Sequence, residues 1–466
     1  MMALPGILSL VVFIYARPQE SFARLRAIPL LYVFFALALL GVVLDLRLRN
    51  TQLRSTPLLP WVAAFFVWSA FTIVIRSPNA ALGPISELAI CVSLYLLIAH
   101  GVQSFRALHI VAGAVLSMVI LVCFVGVHQG LSPMQCVVVD QSKPTETSAG
   151  TPDGRPCDSI RSCYAGDVEP GADYACEHIG LLGTTSVGGG RVRYLGVLQD
   201  PNELSLAGAV GLPLAFALGA SRKRTLARGA VSVLTFALVA LCAVLTASRG
   251  GQLVFLAVLA AYGFKRFGVK GFVLGVLLAA PLLTLSGRNS EEASSSTFER
   301  IDCWASALSI WRSHPLLGVG LGRFTEYNFM TAHNSYLLAL SELGFPGMLL
   351  FSIVLYLCAK IPFVILRGVS GDHGSEGVAG ARIASTWAMG VMAAFAGLAL
   401  GIFFLSFTYH YVLWIYVGLS GALYSAVRAH DTSFKVRFGM ADLAAVFAVD
   451  LAVIGLVYVY ARSVLA

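Results

Sequence analysis

Three basic side chains carry most of the chemistry this sequence offers. Arg249 stands in Leu245-Thr246-Ala247-Ser248-Arg249-Gly250-Gly251, Arg300 leads a tryptophan-bearing stretch, and His333 stands in Thr331-Ala332-His333-Asn334-Ser335-Tyr336. Imidazole titrates near neutral pH, so a histidine at a water-facing helix mouth can take a proton from a hydroxyl. Guanidinium forks neutralise phosphate oxygens, and the small residues around Arg249 let backbone or ligand come close. Two of the three also have a plainer reading. His333 could be a solvated or capping residue, and Arg300 could snorkel or pair with a structural carboxylate such as Glu342.

The elements that must position these groups follow from periodicity. A helix from Thr297 to about Ser313, turning about 100° per residue, puts Glu299, Asp302, Ser306 and Ser309 on one face. Ile301, Trp304, Leu308 and Trp311 take the opposite face, and Arg300 projects on the apolar side near Trp304 and Trp311. An unpaired buried charge is costly, so that guanidinium needs an anionic partner. Asn334, next to His333, is a candidate contact for a bound molecule.

Of the 466 residues, 58% are hydrophobic and only 12% charged, and the mean hydropathy is +0.80. That is the composition of an integral membrane protein. Stretches of spanning length recur at 28–46, 57–75, 84–100, 107–127, 195–219, 226–246, 268–285, 334–359, 383–405, 407–427 and 439–461. Shorter ones lie at 3–16 and 251–264. The expectation is an all-α integral membrane protein, with about 12 or 13 transmembrane helices in one bundle and two outer loops. The first stretch lacks a basic leader and a small-residue cleavage pattern, so it reads as a retained helix or half-helix rather than a signal peptide.

Orientation comes from the basic loops. Arg222-Lys223-Arg224 with Arg228, Lys265-Arg266 with Lys270, Lys360 with Arg367, and Arg428 with Lys435 and Arg437 fall on alternate connections. Those are read as cytoplasmic, which puts 128–194, the turn at Ser248-Arg249-Gly250, 286–332 and the turn near His410 outside. Arg24 and Arg26 run against the pattern, since counting backwards puts their loop outside too. The net charge of +8 needs no nucleic acid to explain it, because much of it is this loop bias.

The chain divides into N-terminal helices at 1–127, an outer cysteine-bearing loop at 128–194, helices with the Arg249 turn at 195–285, a second outer loop at 286–332, and C-terminal helices at 333–466. Cys136, Cys157, Cys163 and Cys176 share the first outer loop, where disulfides are the natural reading. Three pairings are open, and a zinc site is the alternative, although no Cys-x-x-Cys pair is present. Cys91, Cys123, Cys242, Cys303 and Cys358 read as small apolar residues. Arg191 and Arg193 close this loop and either approach an anionic molecule or form a solvated juxtamembrane pair. Asp200 before Pro201 reads as a helix start, with a role for Asp200 and Asn202 in binding hydroxyls as a second reading. The glycines 318, 320 and 322 follow no strand and fail the dinucleotide spacing, so they read as a turn returning the chain to the membrane. Glu87 and Asp450 fall within spans, where a helix-packing hydrogen bond is preferred over a proton relay.

Three ordered elements then carry a resemblance: Thr246-Ala247-Ser248-Arg249-Gly250-Gly251; Arg300-x-x-x-Trp304 running into His314-Pro315-Leu316-Leu317-Gly318-Val319-Gly320-Leu321-Gly322-x-Phe324; and Ala332-His333-Asn334-Ser335-Tyr336 with Glu342-x-Gly344-x-x-Gly347. Together they resemble the O-antigen ligase and polymerase family of bacterial membrane glycosyltransferases, across about residues 240–350. Tyr15-Ala16-Arg17-Pro18-Gln19-Glu20 and Asp200-Pro201-Asn202 are similar to exopolysaccharide-cluster members. The long cysteine-bearing loop departs from the family pattern, in which the later outer loop is the principal one.

The resemblance implies a bundle of the lipid-linked-sugar glycosyltransferase type. It would take an undecaprenyl-diphosphate-linked glycan as donor and a glycan or lipid A-core as acceptor, outside the cytoplasmic membrane, with neither metal nor other cofactor and within a polysaccharide assembly complex. It makes His333 the general base and Arg249 and Arg300 the diphosphate ligands. Both a ligase and a polymerase fit. A transporter of a small anion or lipid-linked sugar, and a non-catalytic scaffold, are the readings from other classes. Transport predicts charged residues near mid-membrane on discontinuous helices.

Overall fold

The computed structural model describes all residues except 1, 53, 140–149, 166, 167, 169, 221–224, 285–289, 369–374 and 466. The basic run Arg222-Lys223-Arg224 therefore lies outside the described residues. In chain order the helices are α1 (Ala3–Ala16), α2 (Pro18–Ser21), α3 (Leu30–Arg47), α4 (Leu59–Arg76), α5 (Leu82–Gly101), α6 (Phe105–Leu131), α7 (Ile160–Cys163) and α8 (Pro201–Ala220). They continue as α9 (Leu226–Leu245), α10 (Arg249–Thr284), α11 (Ser290–Ser313), α12 (Ser335–Gly368), α13 (Ser375–Gly401), α14 (Tyr411–His430) and α15 (Met440–Leu465).

Among the described residues eleven helices are long and apolar enough to cross a membrane, and α1 is a shorter apolar helix. The protein is a multi-pass membrane protein whose candidate spans are all helical. The stretches expected at 251–264 and 268–285 both lie in α10. Gly268 divides it, at φ 66° and ψ −150°, a conformation essentially confined to glycine. The chain folds back there: the backbones of Gly263 and Gly271 abut, and a Cβ on Gly275 would lie 2.9 Å from the Leu259 carbonyl. α10 is thus a hairpin of two arms.

Close contacts in the chain group it into two compact units. The first comprises Met1–Ile7, Phe35–Ala112 and Asn289–Ala466. Lipid tails are as apolar as leucine, so burial alone does not hold membrane helices together; close packing at small residues does. α14 illustrates this, with 89% of its span buried. Gly418 and Gly421 pack on Ile98 and Ala99 of α5, while Trp414 meets Phe66 at 4.5 Å. α15 is the opposite case, only 17% buried, with Leu451, Leu456 and Val459 facing outward. Asp450 of α15 accepts a 2.7 Å hydrogen bond from Ser352 of α12, the helix-packing bond expected, whereas Glu87 is exposed.

The second unit comprises Leu8–Phe34 and Gly113–Arg288. α8 packs against α9 and α10, its Gly208 against Cys123 and its Gly211 against Val119. Between α6 and α8 the chain forms a feature that the sequence reading did not anticipate, a three-stranded antiparallel sheet in the order β2-β1-β3. Its strands are β1 (Met134–Val139), β2 (Thr151–Pro156) and β3 (Asp173–His178). Disulfides join Cys136 to Cys163 and Cys157 to Cys176, with Cα separations of 5.4 and 5.9 Å, and leave no thiolate for zinc. Strands this short are marginal alone, and closing loops of this length adds about 3 kcal/mol per bridge.

Candidate functional site

In the first unit His333 sits at φ 45°, a left-handed conformation unusual for a residue other than glycine. Its neighbours hold it there. Ala332 and Asn334 are fully buried, and Asn334 caps α12, its Oδ1 accepting from the Tyr336 and Leu337 amides at 3.0 Å each. Asn334 is therefore a cap first, yet its Nδ2 is buried with no hydrogen-bond partner and remains available to a bound molecule.

A segment the sequence did not single out organises this region. The connection 402–410, between α13 and α14, is lashed to the start of α12 through Ser335: its amide donates to the Ile402 carbonyl at 2.8 Å, and its Oγ donates to the Leu405 carbonyl at 2.6 Å. The same oxygen accepts from the Phe407 amide at 2.7 Å, and Thr408 Oγ1 donates to the Ser335 carbonyl at 2.9 Å. Thr331 adds a hydrogen bond to Ser406 at 2.8 Å. Arg300 reaches the same connection, donating to the Phe404 carbonyl at 3.3 Å, and Trp304 packs on Phe403 at 5.5 Å. One short backbone segment thus carries both the arginine and the histidine segment.

α11 is longer at its N-terminal end than expected, starting at Ser290, but its faces follow the helical wheel. Ile301, Trp304 and Leu308 are buried, Glu299, Asp302 and Ser309 exposed, and Arg300 half-buried. Packing of α11 against α12 and α15 keeps that orientation.

α12 is itself broken, at Gly344 with φ 72°. The carbonyls freed at the break find donors, as buried backbone groups must. Val319 and Gly320 amides donate to Ser341 and Glu342 carbonyls at 3.0 and 2.9 Å, and the Trp68 indole donates to Leu343 at 2.9 Å. The glycine-rich segment is therefore the expected return turn, with Gly318, Gly320 and Gly322 all at positive φ. Glu342 accepts from the Phe324 amide at 3.2 Å, while Arg300 donates to Phe404. Two further arginines emerge here. Arg323 pairs with Glu326 at 2.7 Å and donates to the Arg76 carbonyl at 3.0 Å, and Arg76 Nε is buried without a hydrogen-bond partner. Arg76, the last residue of α4, was not among the residues the sequence reading singled out.

In the second unit two helix starts are joined. Asp200 caps α8: its Oδ1 accepts from the Asn202 amide at 2.6 Å, Glu203 reaches back to its amide at 3.3 Å, and Pro201 follows it. Asn202 Nδ2 also bonds Asp200, and its Oδ1 accepts from Ser248 at 2.7 Å. Ser248 in turn caps α10, accepting from the Gly251 amide at 3.0 Å. Ala247, at φ 46°, leads into that cap as His333 leads into Asn334. Arg249 is thereby the first residue of α10 and is exposed. Two helix N-termini side by side favour an anion. Ser205 Oγ and both amide atoms of Gln252 are buried there without hydrogen-bond partners.

Arg191 and Arg193 divide their roles. Arg191 Nε donates to the Thr246 carbonyl at the end of α9 at 3.2 Å. Arg193 is buried and donates to the Thr185 carbonyl at 2.9 Å, so a solvated pair does not describe it. Burial raises the Glu177 carboxyl to about 7, against the pull of Arg193. Upstream, Tyr194 donates to the Ala16 carbonyl at 2.9 Å, and Arg17 pairs with Glu20 at 3.5 Å. The Arg17–Glu20 turn thus belongs to the base of the disulfide-linked loop.

No curated protein matches the chain. A family model described as O-antigen ligase does match residues 234–352, a segment that contains Arg249, Arg300 and His333. Over that segment the chain is similar to the O-antigen ligase family, in keeping with a membrane protein that transfers glycans.

Proposed function

We propose that the chain moves a glycan from an undecaprenyl-diphosphate carrier to a hydroxyl acceptor, in the cytoplasmic membrane and on its outer side. His333 takes the proton of the acceptor hydroxyl as its oxygen attacks the anomeric carbon. The bond from that carbon to the diphosphate breaks, its electron pair leaves with the carrier, and the configuration inverts. Arg300 neutralises the diphosphate as charge develops, the part a metal ion plays in other transferases. Arg249 enters as the second diphosphate ligand through the resemblance and through its place on the α10 N-terminus. The remaining residues of this reading are Asn334, Asp200 and Asn202 as contacts to sugar hydroxyls.

One observation carries the reading: the 402–408 backbone is hydrogen-bonded both to Arg300 and to Ser335 of the His333 segment, which supports the two acting together. Transport has one observation of its own, the broken α12 with its buried Glu342. That break is closed by backbone donors from Val319 and Gly320, which favours a packed joint over an ion path.

The test is purified protein with undecaprenyl-diphosphate oligosaccharide, supplied with and without a lipid A-core acceptor. Product only with acceptor supports the ligase, and chain growth without it supports a polymerase. Failure to consume donor in both arms, with substrate movement across proteoliposomes, would replace this reading by transport.

A further inference from the structure

The first unit holds a pocket of about 270 Å³ between α11 and α15. Arg312, Arg462, Tyr458 and Ser309 are its polar lining. Two guanidiniums converge on one ring: Arg312 Cζ lies 4.7 Å from the Tyr458 centroid, and Arg462 Nη1 lies 3.4 Å from the Tyr458 hydroxyl. Neither arginine has an ion pair among the described residues. Each lies in the last turn of its helix, where the dipole favours a cation. That explains each arginine alone but not their convergence, since like charges brought together repel unless an anion sits between them.

The apolar part of the lining includes Leu308 and Leu465, and Leu465 is exposed. A group that is anionic at one end and apolar at the other fits such a place. It is distinct from the proposed diphosphate position. Arg312 follows Arg300 by 12 residues, about 18 Å along the helix, too far for one diphosphate to bridge. We propose that this pocket binds the phosphate of an anionic membrane phospholipid, Arg312 and Arg462 gripping its oxygens while the acyl chains lie along α15. The inference rests on the membrane embedding and not on the transferase reading.

The full-length protein is reconstituted in phosphatidylcholine nanodiscs with and without phosphatidylglycerol, and retained lipid is counted by native mass spectrometry. Phosphatidylglycerol is expected to be retained at one site in preference to phosphatidylcholine by at least about tenfold, from charge-assisted hydrogen bonds. The preference disappears in Arg312→Gln/Arg462→Gln and survives in Arg266→Gln, a basic control in the other unit. Should the double variant fail to fold, Arg462→Gln alone carries the test, with at least a severalfold loss expected. An unchanged preference in these variants overturns the proposal, as does its absence in the parent protein. Displacement of the lipid by millimolar inorganic phosphate also overturns it, reassigning the pocket to a free anion.

Discussion

Ser335→Ala isolates the joint on which the account depends. The Ser335 hydroxyl is fully buried, donates to the Leu405 carbonyl at 2.6 Å and accepts from the Phe407 amide at 2.7 Å. Its removal leaves a buried carbonyl and a buried amide unpaired, each at about 1–3 kcal/mol, so a total loss of about 2–6 kcal/mol is expected before relaxation. Relaxation means movement of the 402–408 connection, and with it Phe404, which accepts from Arg300. A displacement of about 1 Å of catalytic groups costs on the order of 100-fold in rate. Ser341→Ala is the control, because that buried hydroxyl only bonds back to Leu337 and Leu338 within its own helix. Thermal unfolding in detergent and initial rates of glycan transfer are measured for both. Ser335→Ala is expected to melt well below the parent and to transfer slowly, while Ser341→Ala stays near the parent in both. Equal behaviour of the two, or a destabilised Ser335→Ala with full transfer, would refute the claim that this connection positions the reacting groups.

Two further expectations concern the disulfide-linked loop. Peptide mapping without reduction should recover Cys136 joined to Cys163 and Cys157 joined to Cys176. Cys136→Ser/Cys163→Ser should loosen β1–β3 by about 3 kcal/mol, read as faster hydrogen exchange across residues 132–198. Glu177, held protonated up to about 7 by burial, binds its proton more tightly folded than unfolded. Loop stability is therefore full below the ordinary glutamate range, falls by at most about 3 kcal/mol as pH rises to about 7, and is flat above. Glu177→Gln should abolish that decline, so exchange in the loop that is equally pH-dependent in the variant would remove Glu177 as its cause.

The candidate residues stood out in the sequence because only 12% of the chain is charged, and helix starts leave a signature. Asp200-Pro201 was read as a helix start and is one, complete with Glu203 reaching back. The buried and exposed faces of α11 followed from its wheel for the same reason. The 402–410 connection was not legible, and the cause is physical. Ile402, Phe404 and Leu405 read as the tail of an apolar span, yet they act through carbonyls, which every residue possesses. β2 was hidden as well, since Thr151–Pro156 has poor strand propensity and pairs because β1, with its three consecutive valines, offers an edge. The α10 fold-back appeared as two stretches separated by the basic connection Lys265-Arg266 with Lys270, and the turn itself falls at Gly268 between them.

The central claim is that His333 is the base. Its most direct test is single-turnover transfer from an undecaprenyl-diphosphate oligosaccharide by His333→Ala, after circular dichroism and a melt show the variant folded. Removal of a general base is expected to slow the chemical step by about 10²–10⁴-fold, with donor binding retained. Transfer by the folded variant at the parent rate would contradict the account.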